Sequence, residues 1–482
     1  MPTSSVPRPR VDALPRALRF PDNFLWGVGT SAHQVEGGVD LDGRGPSIWD
    51  TFAARGGTRH GDSGAVAADH RRRMADDVAL LARLGVPAYR FSVAWPRVQP
   101  TGRGPASQAG LDFYRALVDE LLAHGVEPVV TLYHWDLPQA LEDAGGWPVR
   151  DTAYRFADYA GLVADALGDR ARRWGTVNEP WCAAMLGYAA GVHAPGRTEP
   201  GAAVAAAHHL LLAHGLGVDV LRGRLSPGAE VGITLNPYPV VTAGTSDADL
   251  DAARRIDGIA NRLWYDPVLL GRYPDDVLDD LSTVSDLAHV RDGDLGVVSR
   301  PIDVLGLNYY RRYHVSYERG AAAVSPWPGS PDVSVAAPDE PATANGWRIE
   351  PDGLYESLVR VATDYDPPPL VVHESGGAFP DAVGPHGRVE DDDRIRFLDA
   401  HLRAAHAAVA AGVDLRGYFV WSFLDNFEWA EGYAHRFGLV HVDYATQART
   451  PKASAEWFGG VVAANGLPPA SPAPPGPACG DP

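Results

Sequence analysis

The sequence predicts an α/β fold with strands and helices in regular alternation, on three observations. Short apolar runs recur along the chain. Between them lie stretches in which apolar residues return every three to four positions. No linker divides the span from residue 18 to 466. Nearly continuous apolar runs belong to strands buried on both faces, as in a parallel sheet. Eight strand–helix alternations in one domain give a single (β/α)8 TIM barrel with elaborated βα loops; a doubly wound open sheet is the competing topology.

The strands are expected at 25–29, 88–94, 128–134, 173–178, 230–236, 302–308, 370–374 and 415–421. Helical periodicity runs through Met74, Val78, Leu81 and Leu84, then Tyr114, Leu117, Val118 and Leu121, then Phe156, Tyr159, Val163 and Leu167. The runs Leu84-Gly85-Val86-Pro87 and His124-Gly125-Val126-Glu127-Pro128 each stop a helix and launch a strand. Glycine takes the left-handed turn there, and proline cannot continue a helix. Residues 321–345, rich in Ala, Pro, Ser and Asp, are expected as a long surface loop. Residues 1–17 are expected as a flexible segment and the Pro-rich 467–482 as a disordered tail.

Composition excludes several partners. The chain has 482 residues and a net charge of −19, which is wrong for nucleic acid or an anionic membrane surface. The two cysteines, Cys182 and Cys479, make no disulfide framework, and Cys182 reads as an inert buried thiol. No apolar run is long enough to span a bilayer. Residues 1–21 lack the apolar core of a secretion signal, so the expected location is cytoplasmic. No metal or cofactor is expected. His208, His209 and His214 lack metal-ligand spacing and are placed on a helix surface. Gly27-Val-Gly29-Thr-Ser-Ala32 imitates a dinucleotide fingerprint, but a Gly-rich segment follows it where a helix is required.

A barrel puts its working residues at the C-terminal ends of its strands. There the sequence offers Gln34 after strand one, Arg90 in strand two, His134 and Trp135 ending strand three, Asn178 and Glu179 ending strand four, and Asn236 ending strand five. Asn308 and Tyr310 end strand six, Glu374 ends strand seven, and Trp421 to Trp429, with Glu428, follow strand eight. Amides, carboxylates and flat rings suit a polyhydroxylated ligand. Glu179 and Glu374, far apart in sequence, are the paired carboxyls that cleavage of a glycosidic bond requires. Asn236 reads equally as a turn residue, because Pro237 follows it.

The chain resembles glycoside hydrolase family 1, the β-glucosidase family. The resemblance rests on Phe24-Leu-Trp-Gly with Ser31-Ala-His-Gln34-Val-Glu-Gly, Tyr89-Arg-Phe-Ser-Val-Ala-Trp-Pro-Arg, Tyr133-His-Trp-Asp-Leu-Pro, Thr176-Val-Asn-Glu-Pro-Trp, Gly306-Leu-Asn-Tyr-Tyr and Gly417-Tyr-Phe-Val-Trp-Ser-Phe-Leu-Asp-Asn-Phe-Glu-Trp, in that order. It implies a retaining β-glycosidase acting on a small β-glycoside or oligosaccharide without a cofactor. Glu179 would be the acid/base and Glu374 the nucleophile. Gln34, His134, Asn178, Glu428 and Trp429 would hold the sugar hydroxyls over Trp421. Arg90, Asn308 and Tyr310 would support the nucleophile, and Trp181 would lie on the aglycone side. One run departs: His373-Glu374-Ser375-Gly376 stands where the family has Thr-Glu-Asn-Gly. Strict strand alternation would turn His373 away from the pocket.

A retaining mechanism places its carboxyls about 5–5.5 Å apart. Glu374 must be ionised, with Arg90 holding its pKa down, and Glu179 must be protonated, its pKa raised by burial and by its negative neighbour. Glu428 suits a free sugar hydroxyl and opposes a phosphate; the resemblance also implies that Glu179, where thioglucosidases carry Gln, favours O-glycosides. The loop over 311–347, with Trp327 and Trp347, is expected to shape the aglycone site. Transglycosylation with the same residues and a non-catalytic glycan-binding barrel are the competing readings.

Overall fold

The protein, described by a computed structural model, is defined over residues 17–321, 324–336 and 341–469. Residues 1–16 and 470–482, most of the expected flexible segment and tail, lie outside the described residues, as does Cys479. Leu467, placed in the tail by composition, is instead buried and pairs with Leu18 in a two-stranded antiparallel ribbon.

Eight parallel strands close into a barrel: β1 (Leu25–Gly29), β2 (Ala88–Ser92), β3 (Glu127–Tyr133), β4 (Arg173–Asn178), β5 (Glu230–Leu235), β6 (Val304–Asn308), β7 (Leu370–Ser375) and β8 (Leu415–Trp421). Each neighbours the next in sequence, and β8 returns to β1. The expected strands match these within two residues at either end. The longer helices are α1 (His70–Arg83), α2 (Gln108–Ala123), α3 (Asp151–Leu167), α4 (Pro200–Arg224), α5 (Asp247–Asp257), α6 (Pro351–Tyr365), α7 (Asp392–Ala410) and α8 (Ala453–Ala464). Gly85 and Gly125 both have positive φ, and each ends its helix just before a strand.

The barrel interior is built in layers. At its N-terminal end Ala88, Val129, Val371 and Phe419 form a separate apolar plug, with Leu25 and Val304 against it. Gly27 admits the Phe419 ring, since a Cβ there would sit 2.2 Å from it. The false dinucleotide glycine is thus a packing glycine. His373 lies on this plug, edge-on to Phe419 with ring centres 5.8 Å apart, and its Nδ1 meets Thr234 Oγ1 at 2.8 Å. Gly306 leaves the space: a Cβ there would come within 2.1 Å of His373 Nδ1. The register of β7 shifts against both neighbours between Val372 and Ser375. Val371 and His373 alternate onto the inner face, so His373 lies in the barrel beneath the pocket rather than away from it, and the bulge lets Glu374 face the barrel as well.

Two further expectations are corrected. His208, His209 and His214 are buried, not on a helix surface. Helix α4 is apolar around most of its circumference, as a core helix must be. His208 joins Asp294 and Tyr273, and His214 joins Thr176. By length and composition α4 passes as a membrane span, but 78% of that window is buried inside the protein. The segment 321–345 is not all loop: Val333–Val335 pairs antiparallel with Tyr313–Tyr317, which runs parallel to Val240–Thr242. This small sheet stands over the C-terminal ends of β5 and β6.

Overpacking a rigid ring costs about 1–3 kcal/mol. Gly27→Ala is therefore expected to lower the unfolding free energy by about that amount in urea melts. Combined with Phe419→Leu, it should cost less than the two single changes added together, because the shortened side chain frees the space.

Candidate active site

Glu374 ends β7 and is buried. Arg90, from β2 across the barrel, donates Nη1 to Glu374 Oε1 at 2.6 Å, and the Tyr310 hydroxyl donates to Oε2 at 2.8 Å. The second Arg90 nitrogen, Nη2, donates to Asn178 Oδ1 at 2.6 Å. Burial pushes the Glu374 pKa above the ordinary carboxyl range, while Arg90, Tyr310 and Asn308 oppose the rise. Arg90 and Tyr310 pull the Glu374 pKa down as expected, but the expected net lowering is corrected: desolvation is the larger effect.

Glu179 follows directly after β4 in a left-handed backbone conformation, φ +44°. Its N–H is held by the Thr234 carbonyl at 2.9 Å. Such a conformation costs a non-glycine residue about 1–3 kcal/mol and persists where the surroundings enforce it. It swings the Glu179 side chain over the barrel mouth. Asn308 Nδ2 donates to Glu179 Oε1 at 2.8 Å, and the Cys182 thiol donates to Oε2 at 3.1 Å. Burial, then the charge of Glu374, push the Glu179 pKa up to about 8. The Asn308 amide faces Glu374 as well. Asn308 Nδ2 also donates to Asn178 Oδ1, the acceptor of Arg90, so hydrogen bonds link the two carboxyls through Asn308, Asn178 and Arg90. Glu179 and Glu374 face one volume.

That volume is a cavity of about 820 Å³ at the C-terminal ends of the strands. Glu179, Glu374, His134, Tyr310, Trp421, Glu428, Trp429 and Trp181 form parts of its wall. The His134 ring stacks between Trp421 and Trp429, at 5.6 and 5.9 Å. Asn178 Nδ2 donates to His134 Nε2 at 3.2 Å, which leaves the proton on Nδ1, where it has no protein partner. Burial, then the Glu374 charge, push the Glu428 pKa up to about 8. Gln34, Asn178, Arg90 and Asn308 stand behind the wall. Gln34 Nε2 donates to Glu428 Oε2 at 3.2 Å and to Asn426 Oδ1 at 3.0 Å. The loop after β8 is pinned by buried charge: Asp425 accepts from Lys452 at 2.7 Å and from Arg436 at 2.6 Å.

Asn236 is not part of the cavity wall. Its amide donates to the Tyr238 hydroxyl at 3.2 Å and faces Cys182 Sγ at 3.6 Å, so it reaches Glu179 only through that thiol. Cys182 is buried, and it is also a hydrogen-bond partner of Glu179, which its reading as an inert thiol missed. Trp181 packs against Tyr238 and Trp327, both at 5.4 Å, on the outer side of the cavity. Trp327 and Trp347 also line it. Tyr238, Arg311 and Tyr313 were missed, because they lie beyond the strand ends where only the added three-stranded sheet brings them in. Trp135, whose Nε1 donates to the Asn178 carbonyl at 2.9 Å, and Trp429 also have positive φ, +77° and +52°. Strain thus gathers around this cavity.

Comparison with known proteins agrees with this geometry. The family model described as glycosyl hydrolase family 1 matches residues 17–467. The thermostable β-glucosidase B of Thermobispora bispora is 50% identical over 93% of this chain and 92% of its own length. The bifunctional β-D-glucosidase/β-D-fucosidase of Bifidobacterium breve is 48% identical over 92% of this chain and 98% of its own. The Thermotoga maritima β-glucosidase in complex with glucoimidazole superposes with a TM-score of 0.88 at 43% identity, over 93% of this chain and all of that one. A barrel matched from its first strand to its last, by relatives identical at up to half their aligned positions, leaves one assignment: the chain belongs to glycosyl hydrolase family 1.

Proposed function

We propose that this glycoside hydrolase releases terminal β-D-glucosyl or closely related residues from neutral O-glycosides by double displacement, with Glu374 as nucleophile and Glu179 as acid/base. The observation that carries the reading is the asymmetry of the two carboxyls around Asn308. Glu374 accepts from a guanidinium and a phenol, whereas Glu179 accepts from an amide and a thiol. Charge settles beside Arg90, and the proton stays on Glu179.

In the first step a Glu374 oxygen attacks the anomeric carbon. The bond to the aglycone oxygen breaks, and the Glu179 proton goes to that oxygen. The glycosyl ester carries no charge, so the repulsion that raised Glu179 disappears; its pKa falls, it stays ionised, and it can act as base. Water then attacks the anomeric carbon, Glu179 takes its proton, and Glu374 leaves as carboxylate. Both displacements invert, so configuration is retained. In this reading His134 and Glu428 on the wall meet the hydroxyls, Gln34 holds Glu428 from behind, and Trp421 lies beneath the sugar ring. The two relatives named for β-glucosidase activity, one also for β-D-fucosidase activity, support a glycone of this class.

Glu374→Ala is expected to lower kcat/KM by roughly 10⁴-fold or more. Added azide should partly restore turnover and yield the α-glycosyl azide, identified by NMR. Glu179→Ala should keep far more activity on a 2,4-dinitrophenyl glycoside than on an alkyl glycoside, since only the poor leaving group needs the proton. Normal turnover by Glu374→Ala would remove it as nucleophile.

The pH dependence follows from the same pair. Activity needs Glu179 protonated, so kcat/KM should fall as pH rises through about 8. It needs Glu374 ionised, so kcat/KM should also fall on the acid side, at a pH above the ordinary carboxyl range. In Glu179→Ala, assayed with the dinitrophenyl substrate, the alkaline limb should vanish while the acid limb remains. An unchanged alkaline limb would assign it to another group.

A further inference from the structure

The outer half of the cavity carries a cation that the chemistry above does not use. Arg311 follows Tyr310, whose hydroxyl holds Glu374. Its guanidinium carbon lies 5.0 Å from the ring centre of Tyr313 and 5.1 Å from that of Trp347. The other arginine on the cavity wall, Arg59, is paired with Glu431 at 3.1 Å. Arg311 has no carboxylate within ion-pair distance among the described residues, although the chain contains 61 acidic side chains. Burial pushes the Cys182 thiol up and the Arg311 charge opposes it, so the guanidinium acts electrostatically on the immediate neighbour of Glu179.

The aromatic faces satisfy the guanidinium charge in part and hold its plane, and the Tyr313 hydroxyl takes part of its N–H edge, which leaves the remaining donors for a ligand. Five donors in a planar fork match a carboxylate in two parallel hydrogen bonds. The nearby walls are flat and apolar: Tyr238 stacks on Tyr313 with ring centres 4.2 Å apart, and Trp327 lies edge-on to Tyr313 at 5.2 Å. The indole Nε1 of Trp181, on the same wall, is buried without a protein partner. Such walls favour an aromatic ring. A single cation balances one negative charge, whereas a phosphate dianion would bring uncompensated charge toward Glu374.

We propose that Arg311 makes the aglycone half of the cavity a subsite for β-glycosides whose aglycone is an aromatic ring bearing a carboxylate. This rests on the β-glycosidase reading and adds to it the chemical class of the leaving group. Arg311 is a specificity residue, and the bonds made and broken are those already given.

The test compares the β-D-glucoside of 4-hydroxybenzoate with that of 4-hydroxybenzamide, its neutral isostere. The quantity read is the ratio of kcat/KM, acid over amide, which does not depend on the fraction of correctly folded enzyme. In Arg311→Gln the ratio should fall by roughly 10- to 100-fold relative to the native protein, the worth of a charge-assisted pair. Arg311→Lys, which keeps the charge without the fork, should fall less. An equal ratio in the native protein and Arg311→Gln would overturn the subsite and make Arg311 a packing residue, while turnover of the amide would leave the β-glycosidase reading standing. Failure of the native protein to cleave either glucoside would overturn that reading, and the subsite with it.

Discussion

One buried guanidinium ties the two halves of the site together. Arg90, rising from β2, reaches across the barrel to Glu374 on β7 and sideways to Asn178 on β4. Asn178 Oδ1 also accepts from Asn308 Nδ2 at 3.1 Å, and that same nitrogen reaches Glu179. Glu374, Arg90, Asn178, Asn308 and Glu179 thus form one chain of hydrogen bonds drawn from four strands. Removing Arg90 would strand a buried carboxylate, which costs about 3–5 kcal/mol, and would unhook the amide that sets Glu179. Two carboxyls of like chemistry acquire unlike surroundings because this cation lies against only one of them.

The rest of the barrel serves that arrangement. An apolar plug closes its N-terminal end and His373 with Thr234 forms a neutral polar layer above it; burial holds His373 well below its ordinary pKa. Arg90 lies over that layer, with Nη2 at 3.5 Å from Thr234 Oγ1. Thr234 contributes twice, since its carbonyl also fixes the strained backbone of Glu179. Loops after β8 and the small sheet over β5 and β6 then divide the mouth. One side holds Glu428, His134 and Trp421, and the other holds the rings around Trp181 and Arg311.

Much of this was legible in the sequence, for physical reasons. Strands buried on both faces are continuous apolar runs, so all eight could be placed to within two residues. Glu179 and Glu374 were findable because a barrel concentrates its function at strand ends. What local pattern could not reveal came from long-range packing. His373 and Glu374 both face the barrel because β7 bulges there against its neighbours, whereas counting alternation back from Glu374 assumes a regular strand. His208, His209 and His214 sit in a helix buried on most sides, where each imidazole takes a distant partner. The net direction for Glu374 depends on the depth of burial, which a list of neighbouring charges omits. Arg311 and Tyr238 enter the cavity from loop residues that no strand-end rule covers, and Asn236, which does end a strand, stops short of it.

The central claim is that Glu179 holds a proton only while Glu374 holds its charge. Carbon-13 NMR of the glutamate carboxyls, assigned with Glu179→Gln, measures this directly in the free protein and again after a 2-fluoroglycoside has trapped Glu374 as its ester. The account predicts a protonated Glu179 at neutral pH in the free protein, and a pKa that drops by about one unit or more once the ester forms. An ionised Glu179 at neutral pH, or one whose titration is indifferent to the ester, would contradict it.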